Sequence, residues 1–338
     1  MDGSDSTSNC DQAAAASSDS PLVSVVIPTF NSAVFVGCAL ASVFDQDYPN
    51  IEIIVVDDGS TDDTRELISS YGSRVRLLTQ PNQGSGAARN QGIQCARGHY
   101  VAFLDADDVW WHHKLRHQVD ALSGTGHRMA YSRFIRWAAN ETGSFTDAAS
   151  EFLHENNPNI STAPVVSGSP YAELLLDCIV WTSTVIVEKC VLKQVGMFDE
   201  SLRKGQDYDL WLRLSREVSM LGMEMPTALY RSHIDSITAS VKPVNYEYLI
   251  LSSAVERWGE AGPDGRHAPA GQVSRRLARS SLGHGVSHLR GGDPRVAARS
   301  FAQSMRHQGF SPKLIALWLM ALAKQAASSI RLPSSSRA

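Results

Sequence analysis

YVAFLDADD, residues 100–108, is a short apolar run that ends in three carboxylates. The run IEIIVVDDGS at residues 51–60 repeats this arrangement, and residues 23–27 (VSVVI) and 75–79 are similar runs. Short apolar runs of this kind are typical of strands buried on both faces of a parallel sheet. Residues at helical spacing follow each run, so the sequence predicts strands that alternate with helices.

This alternation predicts an α/β fold, a Rossmann-like, mainly parallel, doubly wound sheet whose ligand crevice lies at the carboxyl ends of the strands. Both acidic clusters fall at such ends. The later pattern is less regular: it predicts a loop-like stretch at 138–169, strands at 183–187 and 228–231, and a helix at 210–216. Only helical patterns follow residue 245.

Composition divides the chain into three parts. Residues 1–20 are rich in Ser, Ala and Asp, which predicts a disordered leader. The α/β pattern occupies residues 21–240, and residues 241–338 are predicted to form a helical extension. Residues 1–240 hold 17 Lys and Arg against 30 Asp and Glu, whereas residues 241–338 hold 14 against 5. A basic extension suits anionic lipid, polyanionic glycan or nucleic acid, and charge alone does not separate these partners.

The overall composition, 43% hydrophobic and 20% charged over 338 residues, is that of a soluble globular protein and argues against a disordered, collagenous or membrane-bundle class. The five cysteines are widely spaced and include no CxxC pair, which favours reduced thiols in a cytosol. No basic segment followed by an apolar stretch opens the sequence, so no secretory signal is predicted. We therefore expect a cytoplasmic protein.

The acidic clusters carry the chemistry. Asp105 and Asp107 offer hard oxygen ligands that suit Mg²⁺ or Mn²⁺, and such an ion can bridge the protein to a nucleotide diphosphate. This DxD triplet is weak evidence on its own. Asp58 can accept a hydrogen bond from a base N–H or a ribose hydroxyl. The alternative for its cluster is a helix-capping turn made by Ser60 and Thr61, which would leave Asp58 available.

Seven motifs together resemble family 2 glycosyltransferases of the glycosyltransferase A fold. Their number and order are more specific than any single motif, and they span residues 22–240; the remainder lacks comparable matches. The motifs are VSVVIPTFN (23–31), IEIIVVDDGSTDDT (51–64), NQGSGAARNQGI (82–93), YVAFLDADDVW (100–110), GMFDE (196–200), GQDYDLWLRL (205–214) and ALYRSH (228–233).

The resemblance implies the residues that bind the nucleotide. Pro28 and Phe30 match the loop that holds the nucleobase, and Phe30 offers a ring face for stacking. Asp58 matches the carboxylate that reads a uracil-type imide N–H. Arg89 matches a basic residue near the nucleotide, with a structural ion pair inside the acidic rim as an equal alternative. Asp105 matches the ribose or metal partner.

The resemblance also implies the residues that act on the sugar. Asp107 matches the direct metal ligand. Asp207 matches the general base that takes the proton of the acceptor hydroxyl in an inverting transfer. Family members often have Glu-Asp at this point, where the chain has Gln206 before Asp207. The alternative for Asp207 is to cap the helix that starts near Tyr208.

Further positions are implied on the acceptor and diphosphate sides. His233 matches a loop that closes over the diphosphate, as a metal ligand or a donor to phosphate, with Arg231 beside it. Trp181, Thr182 and Ser183 match the acceptor-side floor. An equal alternative is that Trp181 is buried against the helix that carries Trp211.

Two other features suggest sites. A metal site at His112, His113 and His117 is rejected, because no Cys or carboxylate partner is apparent nearby. Residues 314–323, LIALWLMALA, are apolar on all sides but too few to span a bilayer. With basic residues on their flanks, they predict either an interfacial helix on anionic lipid or a buried closing helix, with equal weight.

We therefore expect the transfer of a hexose-type sugar from a uridine or thymidine diphosphate sugar to a hydroxyl of a glycan or lipid-linked acceptor, in polysaccharide or glycolipid assembly. A divalent metal is the expected cofactor, an anionic membrane surface is a further partner, and no nucleic acid is expected. The sequence leaves the oligomeric state open. One rival is a sugar-phosphate nucleotidyltransferase, but VIPTFNSA lacks its glycine-rich cationic loop. The other rival is a non-catalytic binding module, and the filled acidic positions count against it.

Overall fold

The computed structural model describes residues 20–139, 144–153, 157–232 and 242–330. These residues form two compact units. The first unit contains the described residues up to Pro170 and those from Cys178 to 232. The second contains Tyr171–Asp177 and the described residues from 242 onward. The units therefore do not follow the order of the chain, because a short segment near residue 174 groups with the helical part.

The first unit is built on one eight-stranded sheet, ordered β3-β2-β1-β4-β7-β6-β8-β5. β1 to β4 form a parallel half, whereas β7 runs antiparallel to both β4 and β6. The predicted α/β class is thus confirmed, with a mixed second half. The strands are β1 (Val23–Thr29), β2 (Ile51–Asp57), β3 (Arg76–Thr79), β4 (Tyr100–Phe103), β5 (Val109–Trp110), β6 (Met129–Ala138), β7 (Ile186–Glu188) and β8 (Met220–Ser232).

Helices cover both faces of the parallel half. Val25 and Ile27 join the core that includes Val36 and Leu40, whereas Val26 faces Gly92 on the opposite side. β1 is therefore buried along its whole length, as its unbroken apolar run predicts. The helices of the first unit are α1 (Val36–Phe44), α2 (Thr64–Ser69), α3 (Ser85–Cys95), α4 (Lys114–Ser123), α5 (Ala148–Leu153), α7 (Lys189–Gln194) and α8 (Gln206–Glu217).

Several predicted boundaries are wrong. β1 continues through Pro28 to Thr29, which is possible because its pairing with β4 has already ended at Val26 and proline lacks only the N–H. Ser183 lies in a short 3₁₀ turn, Thr182–Thr184, rather than in a strand. β8 and α8 are longer than predicted, and α5 lies within the stretch predicted as a loop.

The second unit consists of helices. They are α6 (Tyr171–Leu174), α9 (Tyr246–Trp258), α10 (Gln272–Gly291), α11 (Pro294–Gln308) and α12 (Pro312–Ile330). Phe301 of α11 is fully buried, and a Cβ at Gly285 of α10 would lie 2.7 Å from its ring, so these two helices pack at close range. No helix among the described residues is both long and apolar enough to cross a bilayer.

We expect Gly92→Ala to destabilise the first unit. A Cβ at Gly92 would lie 2.4 Å from Cγ1 of Val26, so α3 must move off the sheet, and overpacking of this kind costs about 1–3 kcal/mol. Gly37→Ala in α1 is the matched control, because its Cβ meets only ordinary contacts at 3.8 Å and beyond. Urea unfolding followed by tryptophan fluorescence measures both. Equal unfolding midpoints for the two variants would contradict the close approach of α3 to β1.

Candidate active site

Three adjacent parallel strands end at one edge of the sheet. β1 lies between β2 and β4, and the residues that follow these strands are Phe30, Asp58 and Asp105. The Phe30 residue is 46% exposed and the Asp105 side chain 33%, whereas Asp58 is buried. Pro28, the second-last residue of β1, is buried just before this edge. The structure thus brings the predicted nucleotide-binding positions of these strands to a common edge.

Asp58 holds the loop that leads into α3. Its Oδ1 accepts hydrogen bonds from Nε2 of Gln80 (2.7 Å) and the backbone N of Gln83 (2.8 Å), and its Oδ2 accepts from the backbone N of Gly84 (2.8 Å). The expectation that Asp58 is left available by a capping turn is therefore wrong. Its role in reading a nucleobase stays a prediction.

The capping turn itself is also different. The N-cap of α2 is Asp63, which makes no side-chain capping bond. Ser60 Oγ instead accepts from the backbone N of Asn31 (2.9 Å), and Asn31 Oδ1 accepts from the backbone N of Thr61 (2.8 Å). The residues expected to cap α2 therefore tie the loop after β2 to the loop after β1, next to Phe30.

Arg89 of α3 forms an ion pair with Asp105. Its Nη2 lies 2.5 Å from Oδ1 of Asp105, and its side chain is only 7% exposed. The guanidinium also lies 5.3 Å from the ring centre of Phe198. The ion pair that the sequence offered as an alternative is thus present. Because it orients the first carboxylate of the DxD triplet, it is compatible with the implied position near a nucleotide.

Asp108, the third carboxylate of residues 105–108, is buried and was missed as a site residue. Its Oδ2 accepts from Oγ of Ser183, and its Oδ1 accepts from the backbone N of Arg231 (3.0 Å). Burial, and then the charges of Asp107 and Asp105, raise the pKa of the Asp108 carboxyl well above its ordinary value. Asp108 therefore fixes the backbone, while Asp105 and Asp107 remain partly exposed.

The turn Thr182–Thr184 connects the DxD triplet to the predicted base. Ser183 Oγ accepts from the backbone N of Asp105 (3.1 Å), and Thr182 Oγ1 donates to Oδ2 of Asp207 (3.1 Å). The buried turn is supported from within the unit, because Nε2 of Gln118 donates to the Thr184 carbonyl (2.7 Å). Adjacent residues of one turn thus bind the backbone of Asp105 and the carboxylate of Asp207.

Asp207 lies in the first turn of α8 and is half-buried. The alternative that it caps the helix is wrong, because the N-cap is Gly205. Its Oδ1 accepts from the backbone N of Tyr208 (2.8 Å). Gln206, at the position where the family often has Glu, is buried, and its Nε2 donates to Oγ of Ser85 at the start of α3 (2.7 Å).

These contacts close a circuit around the edge of the sheet. Asp58 holds the start of α3, α3 binds both α8 and the DxD triplet, and the turn Thr182–Thr184 joins that triplet to α8. Continuous contacts therefore link Asp58, Asp105 and Asp207, whereas their joint role as one site stays a prediction. The bonded pairs of the circuit are Asp58 with Gly84, Ser85 with Gln206, Asp207 with Thr182, Ser183 with Asp105, and Asp105 with Arg89.

Arg231 anchors the DxD turn from β8. It is buried, and its Nε donates to the backbone carbonyl of Asp107 (2.7 Å). Its guanidinium lies over the rings of Trp137 (4.2 Å) and Phe145 (4.4 Å), and burial lowers its pKa. These contacts give Arg231 a positioning role at the predicted diphosphate side. His233 lies outside the described residues.

Trp181 belongs to an aromatic cluster. Its ring stacks on Phe134 with centroids 4.4 Å apart and meets Tyr230 edge-on at 5.0 Å. The alternative that Trp181 is buried against the helix of Trp211 is wrong, since Trp181 is only partly buried and these ring partners lie on β6 and β8. Trp181 remains partly exposed next to the buried Thr182, which leaves the predicted acceptor-side floor open as a prediction.

The histidines after β5 do have a carboxylate beside them. His113 Nδ1 lies 2.6 Å from Oδ2 of Asp47, and one ligand atom from each of Asp47, His112 and His113 lies within 4.8 Å of the others. The stated reason for rejecting a metal here is therefore wrong, although His117 is not part of this group. Arg116 also pairs with Asp47 at 3.3 Å, so an ion-pair network accounts for the arrangement.

Comparison with known sequences gives the same assignment as the motifs. The family model described as Glycosyl transferase family 2 matches residues 24–162. An uncharacterized glycosyltransferase of Rickettsia prowazekii (strain Madrid E) is 32% identical over 203 residues, 60% of this chain and 61% of that relative. The chain thus spans less than two thirds of that relative. The UDP-Glc:alpha-D-GlcNAc-diphosphoundecaprenol beta-1,3-glucosyltransferase WfaP of Escherichia coli is 30% identical over 225 residues, 65% of this chain and 80% of that relative.

Solved structures agree on the fold. S. aureus TarS 1–349 in complex with UDP-GlcNAc superposes with a TM-score of 0.58 over 94% of this chain and 93% of that chain, at 20% identity. The mannosyltransferase PcManGT of Pyrobaculum calidifontis, in complex with GDP-Man and Mn2+, gives a TM-score of 0.52 at 17% identity over 93% of this chain and 82% of that chain. The family resemblance and the fold class read from the sequence are therefore confirmed.

We expect Ser183→Ala to destabilise the first unit by about 1–3 kcal/mol, because it leaves the buried Asp108 carboxylate without one of its donors. Thr29→Val is the control: it also removes a buried hydroxyl of this unit, but one with no hydrogen-bond partner among the described residues. Chemical unfolding compares the two variants. If Thr29→Val lost stability and Ser183→Ala did not, the Ser183 contact would not hold the DxD turn.

Proposed function

Because the chain belongs to glycosyl transferase family 2, we propose that it transfers a hexose-type sugar from a UDP-sugar to a hydroxyl of a lipid-linked glycan, with inversion at the anomeric carbon. The observation that carries the proposal is the closed circuit of contacts, in which neighbouring residues of one turn bind Asp105 and Asp207. The backbone of the donor-side Asp105 and the carboxylate of the acceptor-side base are then bound by the same turn.

The donor is proposed from both chemistry and likeness. Phe30 offers an exposed ring at the end of β1, and Asp58 lies at the end of the next strand. The Phe30 ring suits stacking on uracil. Although both oxygens of Asp58 are bonded, Oδ2 accepts only one hydrogen bond, from Gly84, and keeps a lone pair for the imide N–H. TarS was solved with UDP-GlcNAc, and the named donor of WfaP is UDP-Glc. These likenesses favour uridine over thymidine as the base.

The donor set at the DxD triplet fits a divalent ion. Asp105 and Asp107 present partly exposed carboxylates at the edge of the sheet, whereas both oxygens of Asp108 are bonded within the protein. Asp107 and Asp105 would hold the ion, and Arg89 limits how Asp105 can turn. A bound Mg²⁺ or Mn²⁺ would neutralise charge on the departing diphosphate.

Asp207 is proposed to take the proton of the acceptor hydroxyl. The acceptor oxygen forms a bond to the anomeric carbon as the bond from that carbon to the diphosphate oxygen breaks, and UDP leaves with the electron pair. The Thr182 hydroxyl and the Tyr208 backbone N fix the Asp207 carboxylate, so one of its remaining lone pairs can face the acceptor. Trp181, exposed in part beside Thr182, is the proposed platform for an acceptor sugar.

The acceptor is proposed as a hydroxyl of a glycan carried on a diphospholipid. WfaP has alpha-D-GlcNAc-diphosphoundecaprenol as its named acceptor, and the chain covers 80% of that relative. This likeness supports a reaction in polysaccharide or glycolipid assembly. The proposed acceptor depends on the likeness to WfaP, whereas the proposed general base, Asp207, is also supported by contacts within this chain.

We expect Asp207→Asn to lower sugar transfer by about 10²–10⁴-fold, because an amide cannot accept the acceptor proton. UDP binding should be retained, since Asp207 lies on the acceptor side. Asp209→Asn is the matched control: it makes the same change two residues later in α8, on a carboxylate paired with Arg213 (2.6 Å). Transfer from UDP-glucose to a lipid-linked acceptor, with UDP binding by calorimetry, measures both effects. Normal transfer by Asp207→Asn would refute the assigned base.

We expect Asp107→Ala to abolish metal-dependent hydrolysis of the UDP-sugar and to weaken UDP binding in the presence of Mn²⁺, but not in the presence of EDTA. Removal of a metal ligand affects only the binding that the metal supports. Asp120→Ala, which removes an exposed carboxylate on α4, serves as the control. If Mn²⁺ strengthens UDP binding equally in wild type and Asp107→Ala, the DxD triplet is not the metal site.

A further inference from the structure

The outward face of α12 is apolar. Ile315, Leu319 and Met320 are 37%, 54% and 49% exposed, and they lie at the i, i+4 and i+5 spacing of one helix face. Ala316 and Ala323 on the same face are also exposed. Phe310, just before the helix, is 80% exposed. A surface helix usually carries polar and charged residues on its solvent-facing side, whereas this side of α12 carries apolar residues.

The opposite face of α12 is already packed. Leu314 and Ala321 are buried in a cluster with Phe301 of α11, and Leu317 and Trp318 pack against that cluster. The exposed apolar face is therefore not needed to hold α12 in the second unit. This answers the two alternatives left by the sequence: one side of the helix closes the core, and the other side remains open to a partner.

The charge of the surrounding helices is strongly positive. Residues 272–330 contain nine Lys and Arg against one acidic residue, Asp293. All of these basic residues except Arg276 are exposed. Lys313 and Lys324 lie seven and four residues from Met320, so both positions border the apolar face, and Nζ of Lys324 donates to the Leu289 carbonyl of α10 (2.9 Å). An apolar stripe with cations on its border is the arrangement of a helix that lies in the plane of an anionic bilayer surface.

The same charge argues against a second copy of the chain as the partner. A two-fold contact would bring identical surfaces together, and the lysines that border this face would then meet like charges. An anionic phospholipid surface attracts such residues and also takes up the apolar side chains. Charge complementarity therefore selects lipid over self-association.

We propose that α12 is an interfacial docking helix, which inserts Ile315, Leu319 and Met320 into the headgroup boundary of an anionic phospholipid bilayer while the exposed lysines and arginines of α10 to α12 contact its phosphates. The helix lies along the surface and does not cross it. This inference stands on the second unit alone and is independent of the proposed reaction.

Vesicle flotation of the full chain tests the proposal. The probes are vesicles of pure phosphatidylcholine and vesicles of equal parts phosphatidylcholine and phosphatidylglycerol. We expect flotation only with phosphatidylglycerol, reduced by high salt. Ile315→Glu combined with Leu319→Glu should lower the bound fraction about tenfold or more, and Lys313→Glu should also lower it, because the first removes apolar insertion and the second an attractive charge.

Leu249→Glu is the matched control, since Leu249 is 45% exposed in the same unit but belongs to a different helix, α9. It should float like the wild type. Unchanged thermal unfolding of the variants shows that binding, and not folding, has changed. Wild type that stays with the unbound fraction would overturn the proposal. So would Ile315→Glu with Leu319→Glu that floats normally, or that only converts a dimer to a monomer in light scattering.

Discussion

The candidate active site, at the edge where the parallel strands end, depends on one buried carboxyl group, that of Asp108. A buried carboxylate is costly unless donors meet both of its oxygens. Ser183 binds one of its oxygens and the backbone N of Arg231 the other, so the end of β4, the turn Thr182–Thr184 and the end of β8 must come together for both oxygens to be hydrogen-bonded. The same turn then holds the backbone N of Asp105. The geometry of the DxD triplet is thus a consequence of how Asp108 is satisfied.

At this edge, neighbouring residues differ in burial and in role. In the pair Asp107 and Asp108, and again in the pair Gln206 and Asp207, one side chain is buried and bonded to the scaffold while its neighbour is half-exposed at the rim. The buried member fixes the backbone from which the other projects. Function can then depend on side chains that keep some exposure, because their backbone positions do not depend on a ligand.

The sequence predicts the parallel half of the sheet well, because unbroken apolar runs such as β1 depend on burial alone. It fails where long-range contacts decide. Asp58 was expected to be available because local capping was visible, but its partner Gly84 is 26 residues away. Ser183 and Asp108 are 75 residues apart, and His113 and Asp47 are 66 apart. Ser183 and Asp108 meet only because β7 pairs antiparallel with β4, and local periodicity does not predict this pairing.

Charge separates the two parts of the sequence in a way that bears on membrane contact. Residues 1–240 carry a net charge of −13, so an anionic surface repels them, whereas residues 241–338 carry +9. Attraction must then come from the helical part. Screening acts over about 8–10 Å at physiological salt, so the contact depends on cations close to the inserting face rather than on net charge. Lys313 and Lys324 meet that requirement, because they border the exposed residues of α12.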